Sequence, residues 1–220
     1  MWDSATIQMI ANGVLESLYM TLASTLAAYI VGLPLGVILV ITEKDSILPH
    51  PFLNKVLNVV VNILRSVPFI ILMFLVIPIT RFVAGTSIGS TAAIVPLFIA
   101  AAPFIARIVE TSIKEVDQGI IEAALSMGAS PWNIILKVML PETKPSLILN
   151  AAIATTTILG YSAMAGVMAG GGLGDIATRY GWYRYDPSIL WTTVVLLVLI
   201  VQVLQGIGTK TAGLQDKRKP

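Results

Sequence analysis

The sequence has 220 residues, of which 56% are hydrophobic and only 12% are charged. A soluble domain carries roughly 25% charged residues, and the mean hydropathy of +0.86 also departs from that class. The composition therefore indicates an integral membrane protein. The absence of cysteine excludes disulfides, thiolate chemistry and zinc–thiolate sites, and a net charge of +2 is too small to indicate a nucleic-acid partner.

Five apolar stretches approach the length of about 20 residues that a helix needs to cross a bilayer. In chain order, the predicted spans are residues 17–42, 56–80, 82–109, 145–169 and 187–209. The N-terminus lacks the basic region of a cleavable signal peptide, so we expect the first span to be retained. The sequence thus predicts an all-α, polytopic membrane protein with one transmembrane domain over residues 1–220.

The distribution of lysine and arginine predicts the orientation of these spans. With the N-terminus outside and the C-terminus in the cytoplasm, the outer segments hold only Arg81, Arg179 and Arg184, whereas most other cationic residues lie inside. Cytoplasmic segments are enriched in lysine and arginine, so this orientation is the expected one. It places residues 111–144 and the basic tail, residues 214–220, in the cytoplasm.

The first half of segment 111–144 has the pattern of a short amphipathic helix that ends at a glycine. Gln118, Glu122 and Ser126 recur at helical spacing and form a polar stripe. Gly128 is the residue type best suited to end a helix in a left-handed conformation. We therefore expect a helix followed by a tight turn.

The second half of the segment has the pattern of another helix. Ser130 and Pro131 suit its start, and it is predicted to end near Leu140 because Pro141 cannot continue the hydrogen-bond ladder. Four apolar residues at helical spacing would form its apolar face: Trp132, Ile135, Leu136 and Met139. Such a helix pair can lie on lipid, but the acidic polar stripe and the compact turn favour a protein partner.

These residues resemble the EAA motif of the permease subunits of bacterial ABC importers. The motif positions present here are Glu122, Ala123, Ala124, Gly128, Leu140 and Pro141. One position departs from the family pattern, where Val138 replaces an isoleucine. In that family the segment is a coupling helix that docks into a groove of a separate cytoplasmic ATPase, so the resemblance assigns these six residues to ATPase coupling.

The same resemblance implies that this chain is a transport subunit and not an enzyme. It contains no G-x-x-x-x-G-K-[ST] phosphate-binding loop. We therefore expect no cofactor in this chain, with ATP and Mg²⁺ bound by the partner ATPase. A single histidine and no cysteine also leave no metal site to expect.

Two further stretches, LRSVPFIILM (64–73) and LGYSAMAGVMAGGGLGD (159–175), are similar to the methionine-uptake branch of this family. The resemblance implies a type I importer fold in the inner membrane of a bacterium. It also implies a homodimer surrounded by lipid, two ATPase subunits and an external methionine-binding lipoprotein. The substrate would be L- or D-methionine, and another amino acid or small polar solute remains the alternative.

The translocation pathway or its gate is expected in these two stretches. The residues assigned to it are Pro68, Tyr161, Ser162 and Met164. Methionine side chains are flexible and fit irregular apolar contacts, which suits a seal at a dimer axis. Ordinary packing is the alternative for Met164, but the similarity of this stretch to the family favours the gate. Pro68 is predicted to break the second span. Arg65, near the inner end of that span, is expected to extend to the membrane surface.

Three other classes of protein fit the sequence less well. An ion-coupled secondary transporter commonly needs acidic residues inside the membrane, and the five predicted spans contain no Asp or Glu. An intramembrane serine protease would need a histidine near Ser162, but the only histidine, His50, lies in the first cytoplasmic loop. A channel or scaffold would not explain the fixed spacing of the EAA motif.

Overall fold

The computed structural model of the chain describes residues 3–215, and over these residues it contains helices and no β-strand. The predicted all-α class is therefore confirmed. The helices are, in chain order, α1 (Ser4–Ile41), α2 (Pro51–Ser66), α3 (Phe69–Leu75), α4 (Ile77–Ala84), α5 (Ser90–Ile113), α6 (Gln118–Ser126), α7 (Pro131–Ile134), α8 (Leu140–Glu142), α9 (Lys144–Val167), α10 (Gly172–Ile176) and α11 (Pro187–Gln215). Two π-helical turns, Ile135–Met139 and Ala177–Trp182, follow α7 and α10.

Four helical stretches of the described residues are long and apolar enough to cross a membrane. They are Ser4–Ile41, Ser90–Ile113, Lys144–Trp182 and Pro187–Gln215. A fifth arises if α2 and α3, which are bent by 103° relative to each other, count as one broken span. The five predicted spans correspond to these stretches, but their bounds differ. The predicted basic tail lies mostly outside the described residues.

The outer ends of the first and third spans differ from the prediction. α1 begins at Ser4 rather than at residue 17, because the Asp3 carboxylate accepts a backbone hydrogen bond and caps the helix there. α5 begins at Ser90 rather than at residue 82. The reason is that Gly85 and Gly89, at φ 74° and 96°, separate it from α4.

The second predicted span, residues 56–80, is not one helix. α2 ends before Pro68, and the chain then changes direction by 103°. Proline has no N–H for the helical ladder, so the predicted break at Pro68 is confirmed. Many exposed side chains of α2 are apolar, as at Phe52, Val56 and Ile63, which suits a helix whose outer face contacts lipid. Its exposed polar residues are Lys55, Asn62, Arg65 and Ser66.

The polar face of α2 is held against α5 and the end of α1 by hydrogen bonds. Arg107 of α5 donates to the side-chain oxygens of Asn58 and Asn62, at 3.0 and 2.8 Å. The same arginine pairs with Glu110 at 2.6 Å, and Lys114 pairs with Glu110 at 2.9 Å. The Glu110 side chain is only 5% exposed, so one buried carboxylate pairs with two cations at this helix junction, and Lys114 also pairs with Glu43.

We expect Glu110→Ala to lower the free energy of unfolding by about 3 kcal/mol, because it leaves Arg107 without its carboxylate partner in a largely buried position. Replacing both partners, by Arg107→Met with Glu110→Leu, should restore much of that loss. The midpoint of thermal unfolding in detergent measures both effects. Arg179→Ala is the control, since it breaks a more exposed pair with Asp175 and should cost less than about 1 kcal/mol. Equal losses of stability for Glu110→Ala and Arg179→Ala would contradict the assignment of Glu110 as a buried ion-pair partner that stabilises the fold.

α1 and α5 form a close parallel pair. A Cβ atom on Gly32 would lie 2.8 Å from the carbonyl oxygen of Ala102, and one on Gly36 would lie 2.6 Å from that of Ala106. Small residues let membrane helices approach closely. α9 runs antiparallel to α5, since Asn150 near its start hydrogen-bonds Ser112 near the end of α5 at 2.7 Å.

Candidate coupling segment and translocation pathway

The glycine turn predicted between the two cytoplasmic helices is present between α6 and α7. The backbone N–H of Gly128 donates to the carbonyl of Leu125 at 2.9 Å, and that of Ala129 donates to the carbonyl of Ala124 at 3.1 Å. These two bonds form a Schellman motif, in which the glycine adopts a left-handed conformation. Gly128 has φ 76°. The turn is thus closed by the chain's own hydrogen bonds.

The second cytoplasmic helix does not end near Leu140 as predicted. α7 continues through the π-helical turn Ile135–Met139 into α8, and only Thr143 separates α8 from α9. A π-helical turn replaces i→i+4 bonds with i→i+5 bonds, and Pro141 falls in the first turn of α8, where its missing N–H is tolerated. The cytoplasmic segment therefore continues almost without interruption into a membrane-spanning helix.

The six motif residues do not share one surface. Glu122, Ala123 and Pro141 are exposed, and Leu140 is half-buried. Ala124 is 5% exposed and lies in the chain's own core. The small side chain of Ala124 lets α6 sit close to the rest of the chain, while Ala123 faces outward.

Several large apolar side chains around the turn are exposed. We call them the docking residues: Ile120, Leu125, Met127, Trp132 and Leu136. Met127 is 80% exposed and Trp132 is 72% exposed. Sequence reasoning placed Trp132 and Leu136 on one face with Ile135 and Met139, but the last two are buried, because the π-helical turn changes the helical spacing.

Glu122 lines a cytoplasmic cleft of about 630 Å³ between α6 and the loop that follows α1. The cleft carries both signs of charge, since Glu43, Lys44 and Lys114 also line it. The docking residue Leu125 lines the same cleft, and Ile120 lies on α6 together with Glu122. The surface around α6 therefore combines exposed apolar side chains with a charged border.

Two of the four predicted pathway positions lie together at the break between α2 and α3. Pro68 precedes Phe69, whose ring stacks on that of Tyr161 with centroids 4.8 Å apart and planes within 7°. Phe69 and Tyr161 also line a cavity of about 210 Å³ with Arg65 and Phe104. The residues at the break between α2 and α3 and the ring of Tyr161 on α9 thus line one cavity.

Ser162 and Met164 lie elsewhere on α9. Ser162 is buried, and its hydroxyl donates to the carbonyl of Leu159 at 2.8 Å and accepts from Thr21 of α1 at 3.5 Å. It packs α9 against α1. His50 lies at the start of α2. Met164 is exposed on an open face of α9.

Glu16 and Ser17 of α1 are structural residues that sequence reasoning missed. The Glu16 carboxylate accepts a hydrogen bond from the backbone N–H of Gly172 at 2.7 Å, and the Ser17 hydroxyl accepts one from that of Leu173 at 2.8 Å. These bonds satisfy the first donors of α10, which follows a break in the helical chain after α9. The sequence signal for this role is that Glu16 is an acidic residue among mostly apolar neighbours.

The described residues combine helices long enough to span a membrane with an exposed helix–glycine–helix segment between α5 and α9. The family of inner membrane components of binding-protein-dependent transport systems matches residues 32–208. The chain belongs to this family, and the prediction that it is a transport subunit and not an enzyme is confirmed.

The similar proteins cover between 72% and 99% of the chain. It is 46% identical, over 99% of its length and 96% of the relative's, to the probable D-methionine transport system permease protein MetI of Vibrio cholerae. It is 48% identical to the D-methionine transport system permease protein MetI of Escherichia coli K12, over 72% of this chain and 73% of that protein.

Two solved structures show the same fold. A chain of the MetNI methionine ABC transporter, in an inward-facing conformation, matches with a TM-score of 0.97 and 42% identity. That match covers 98% of this chain and 100% of the other. A chain of an amino acid ABC transporter matches with a TM-score of 0.72 at 19% identity, over 99% of both chains, and this likeness shows the fold alone.

Proposed function

We propose that this chain is the permease subunit of an ATP-driven methionine importer in a bacterial inner membrane, and that two copies form the translocation pathway. The observation that carries the proposal is the match, at 42% identity and over 98% of this chain, to a chain of the MetNI methionine ABC transporter. The partner ATPases bind ATP and Mg²⁺. An external methionine-binding lipoprotein delivers the substrate on the side of the N-terminus.

The docking residues support a partner on the cytoplasmic side. An amphipathic helix places its apolar face in a hydrophobic groove of its partner, and Met127 and Trp132 stand exposed on either side of the Gly128 turn. Glu122 supplies an acid for a cationic donor at the edge of the groove. Because α7 and α8 lead directly into α9, movement of the ATPase can displace α9 as a rigid element.

The open face of α9 supports a pathway between two copies of the chain. Ile153, Gly160, Met164 and Val167 recur along one side of this helix and are exposed. No atom beyond the helix's own backbone lies within 4 Å of a Cβ placed on Gly160. A flexible methionine on such a face can close a narrow passage and move aside at small energetic cost.

The proposal is tested by purifying the full-length chain from its native membrane in mild detergent and identifying the proteins that accompany it. We expect an ATPase subunit in equal amount. The complex and the binding protein, reconstituted in liposomes, should import radiolabelled methionine only with ATP inside. Recovery of the chain alone in several detergents, or import of another amino acid in place of methionine, would overturn the proposal.

We expect Met127→Asp to reduce recovery of the ATPase with the purified chain by about tenfold or more, because it places a charge in an apolar groove. Met127 is 80% exposed, so the substitution should not change the membrane level of the chain. Leu214→Asp is the matched control, since Leu214 is also 80% exposed but lies near the end of α11. Equal ATPase recovery for both variants would place the contact elsewhere.

A further inference from the structure

The cavity at the break between α2 and α3 combines a cationic group with an aromatic wall. We call it the break cavity and define it by Arg65, Phe69, Ala100, Phe104 and Tyr161, which line a volume of about 210 Å³. These residues come from four separate parts of the chain: α2, α3, α5 and α9. The cavity therefore depends on the packing of these helices and on the change of direction at Pro68.

The break cavity lies within the length of the membrane-spanning helices. Ala100 and Phe104 fall near the middle of α5, which runs from Ser90 to Ile113. Non-helical backbone at membrane depth is tolerated where it lines a cavity or is buried in protein. Secondary transporters commonly place their substrate sites at such interrupted helices, near the middle of the bilayer. The position of the cavity thus suits a ligand in transit.

Arg65 is the cationic group that faces this cavity without a carboxylate partner. Within residues 3–215, Arg107 and Arg179 form ion pairs with acidic residues, whereas Arg65 forms none. A charged side chain at membrane depth is costly unless it is paired or reaches water. A guanidinium binds a carboxylate through two parallel hydrogen bonds, so Arg65 is suited to an anionic group that enters the cavity.

The rest of the cavity wall is aromatic and suits an apolar side chain. The rings of Phe69 and Tyr161, stacked on each other with centroids 4.8 Å apart, line the cavity, and Phe104 adds a third ring. Thioether sulfur makes favourable contacts with aromatic rings. Pockets for drug-sized ligands measure roughly 300–1,000 Å³, so this smaller cavity suits one amino acid rather than a peptide.

We propose that the break cavity is a substrate site inside the membrane for an amino acid with an unbranched apolar side chain. Arg65 holds the α-carboxylate, and the rings of Phe69 and Tyr161 hold the side chain. This inference rests on the proposed function, since it takes methionine as the transported substrate. A lipid phosphate would offer Arg65 the same negative charge, and the experiments below separate the two.

The first test is uptake by the reconstituted complex of permease, ATPase and binding protein. We expect Arg65→Gln to reduce methionine uptake by about tenfold while ATP hydrolysis and recovery of the ATPase remain unchanged. Arg81→Gln is the matched control, because Arg81 lies on α4 beside Ser87, away from the cavity. Unchanged uptake by Arg65→Gln, in a complex that imports methionine, would overturn the inference and leave the proposed function standing.

The second test measures binding of radiolabelled L-methionine to the purified complex without the binding protein, after subtraction of binding to the ATPase alone. Norleucine, which keeps the carboxylate and the unbranched side chain, should displace methionine, whereas methioninol, which lacks the carboxylate, should not. Arg65→Gln and Tyr161→Ala should each weaken binding. Displacement by methioninol equal to that by norleucine would overturn the inference. So would an Arg65→Gln variant that binds methionine normally but loses stability in anionic lipid, since that result assigns Arg65 to a lipid headgroup.

Discussion

Gly128→Asp is expected to abolish methionine import while the membrane level of the chain stays normal. Gly128 has φ 76°, and a Cβ atom there would meet no atom within 4 Å, so the substitution causes backbone strain without a clash. That strain is about 1–2 kcal/mol for a residue with a side chain, which is small for a long membrane helix bundle. The new charge, however, stands beside Met127 at the surface that we assign to the ATPase. Uptake of radiolabelled methionine and an immunoblot of the membrane fraction measure the two effects.

Gly85→Asp provides a closely matched control for the strain. Gly85 has φ 74° and no atom within 4 Å of a Cβ position, but it lies at the end of α4, on the predicted outer side. It should retain most of the uptake. Gly128→Ala introduces the strain without the charge and should give an intermediate rate. Normal uptake by Gly128→Asp, at a normal membrane level, would remove the coupling role from this turn.

The parts of the coupling segment that were predicted correctly depend on local chemistry. The left-handed Gly128 turn and the start of α7 at Ser130 and Pro131 follow from residue types whose backbone preferences act over a few residues. The break at Pro68 follows in the same way from the missing N–H of proline. Such signals need no knowledge of the rest of the chain.

The continuation of the helix through Pro141 could not be predicted from these local rules. The rule that proline ends a helix assumes the i→i+4 ladder of an α-helix. The π-helical turn Ile135–Met139 changes that ladder just before Pro141 and buries Met139 against the core. Likewise, the motif spacing identifies Ala124 but not the face on which it lies, since that depends on which side of α6 meets the rest of the chain.

Long-range contacts account for the other residues that sequence reasoning missed. Glu16 hydrogen-bonds the backbone of Gly172, 156 positions later in the chain. Arg65 is exposed and lines a cavity with Tyr161 of α9. Both roles depend on how α9 packs on the other helices, and neither partner can be found from residues near Glu16 or Arg65 in the sequence.

Gly36→Val is expected to prevent stable folding rather than to impair coupling. A Cβ atom on Gly36 would lie 2.6 Å from the carbonyl oxygen of Ala106 and 2.7 Å from the Cβ of Val109. Backbone cannot move away as the end of a flexible side chain can, so α1 and α5 would have to separate along their interface. Overpacking commonly costs about 1–3 kcal/mol, and contact with backbone places this variant at or above the upper end of that range. Size-exclusion chromatography of the detergent-extracted chain measures the folded fraction.

Gly206→Val is the control for Gly36→Val, because no atom lies within 4 Å of a Cβ position on Gly206 of α11. It should give a normal chromatographic peak and a normal midpoint of thermal unfolding.

Gly36→Val and Gly128→Asp should lower methionine uptake for different reasons. The first should lower the amount of folded permease, and the uptake per folded molecule should stay normal in whatever remains. The second should lower the uptake per folded molecule at an unchanged amount. Gly36→Val protein with a normal peak and a normal midpoint would mean that α1 and α5 do not need their close contact.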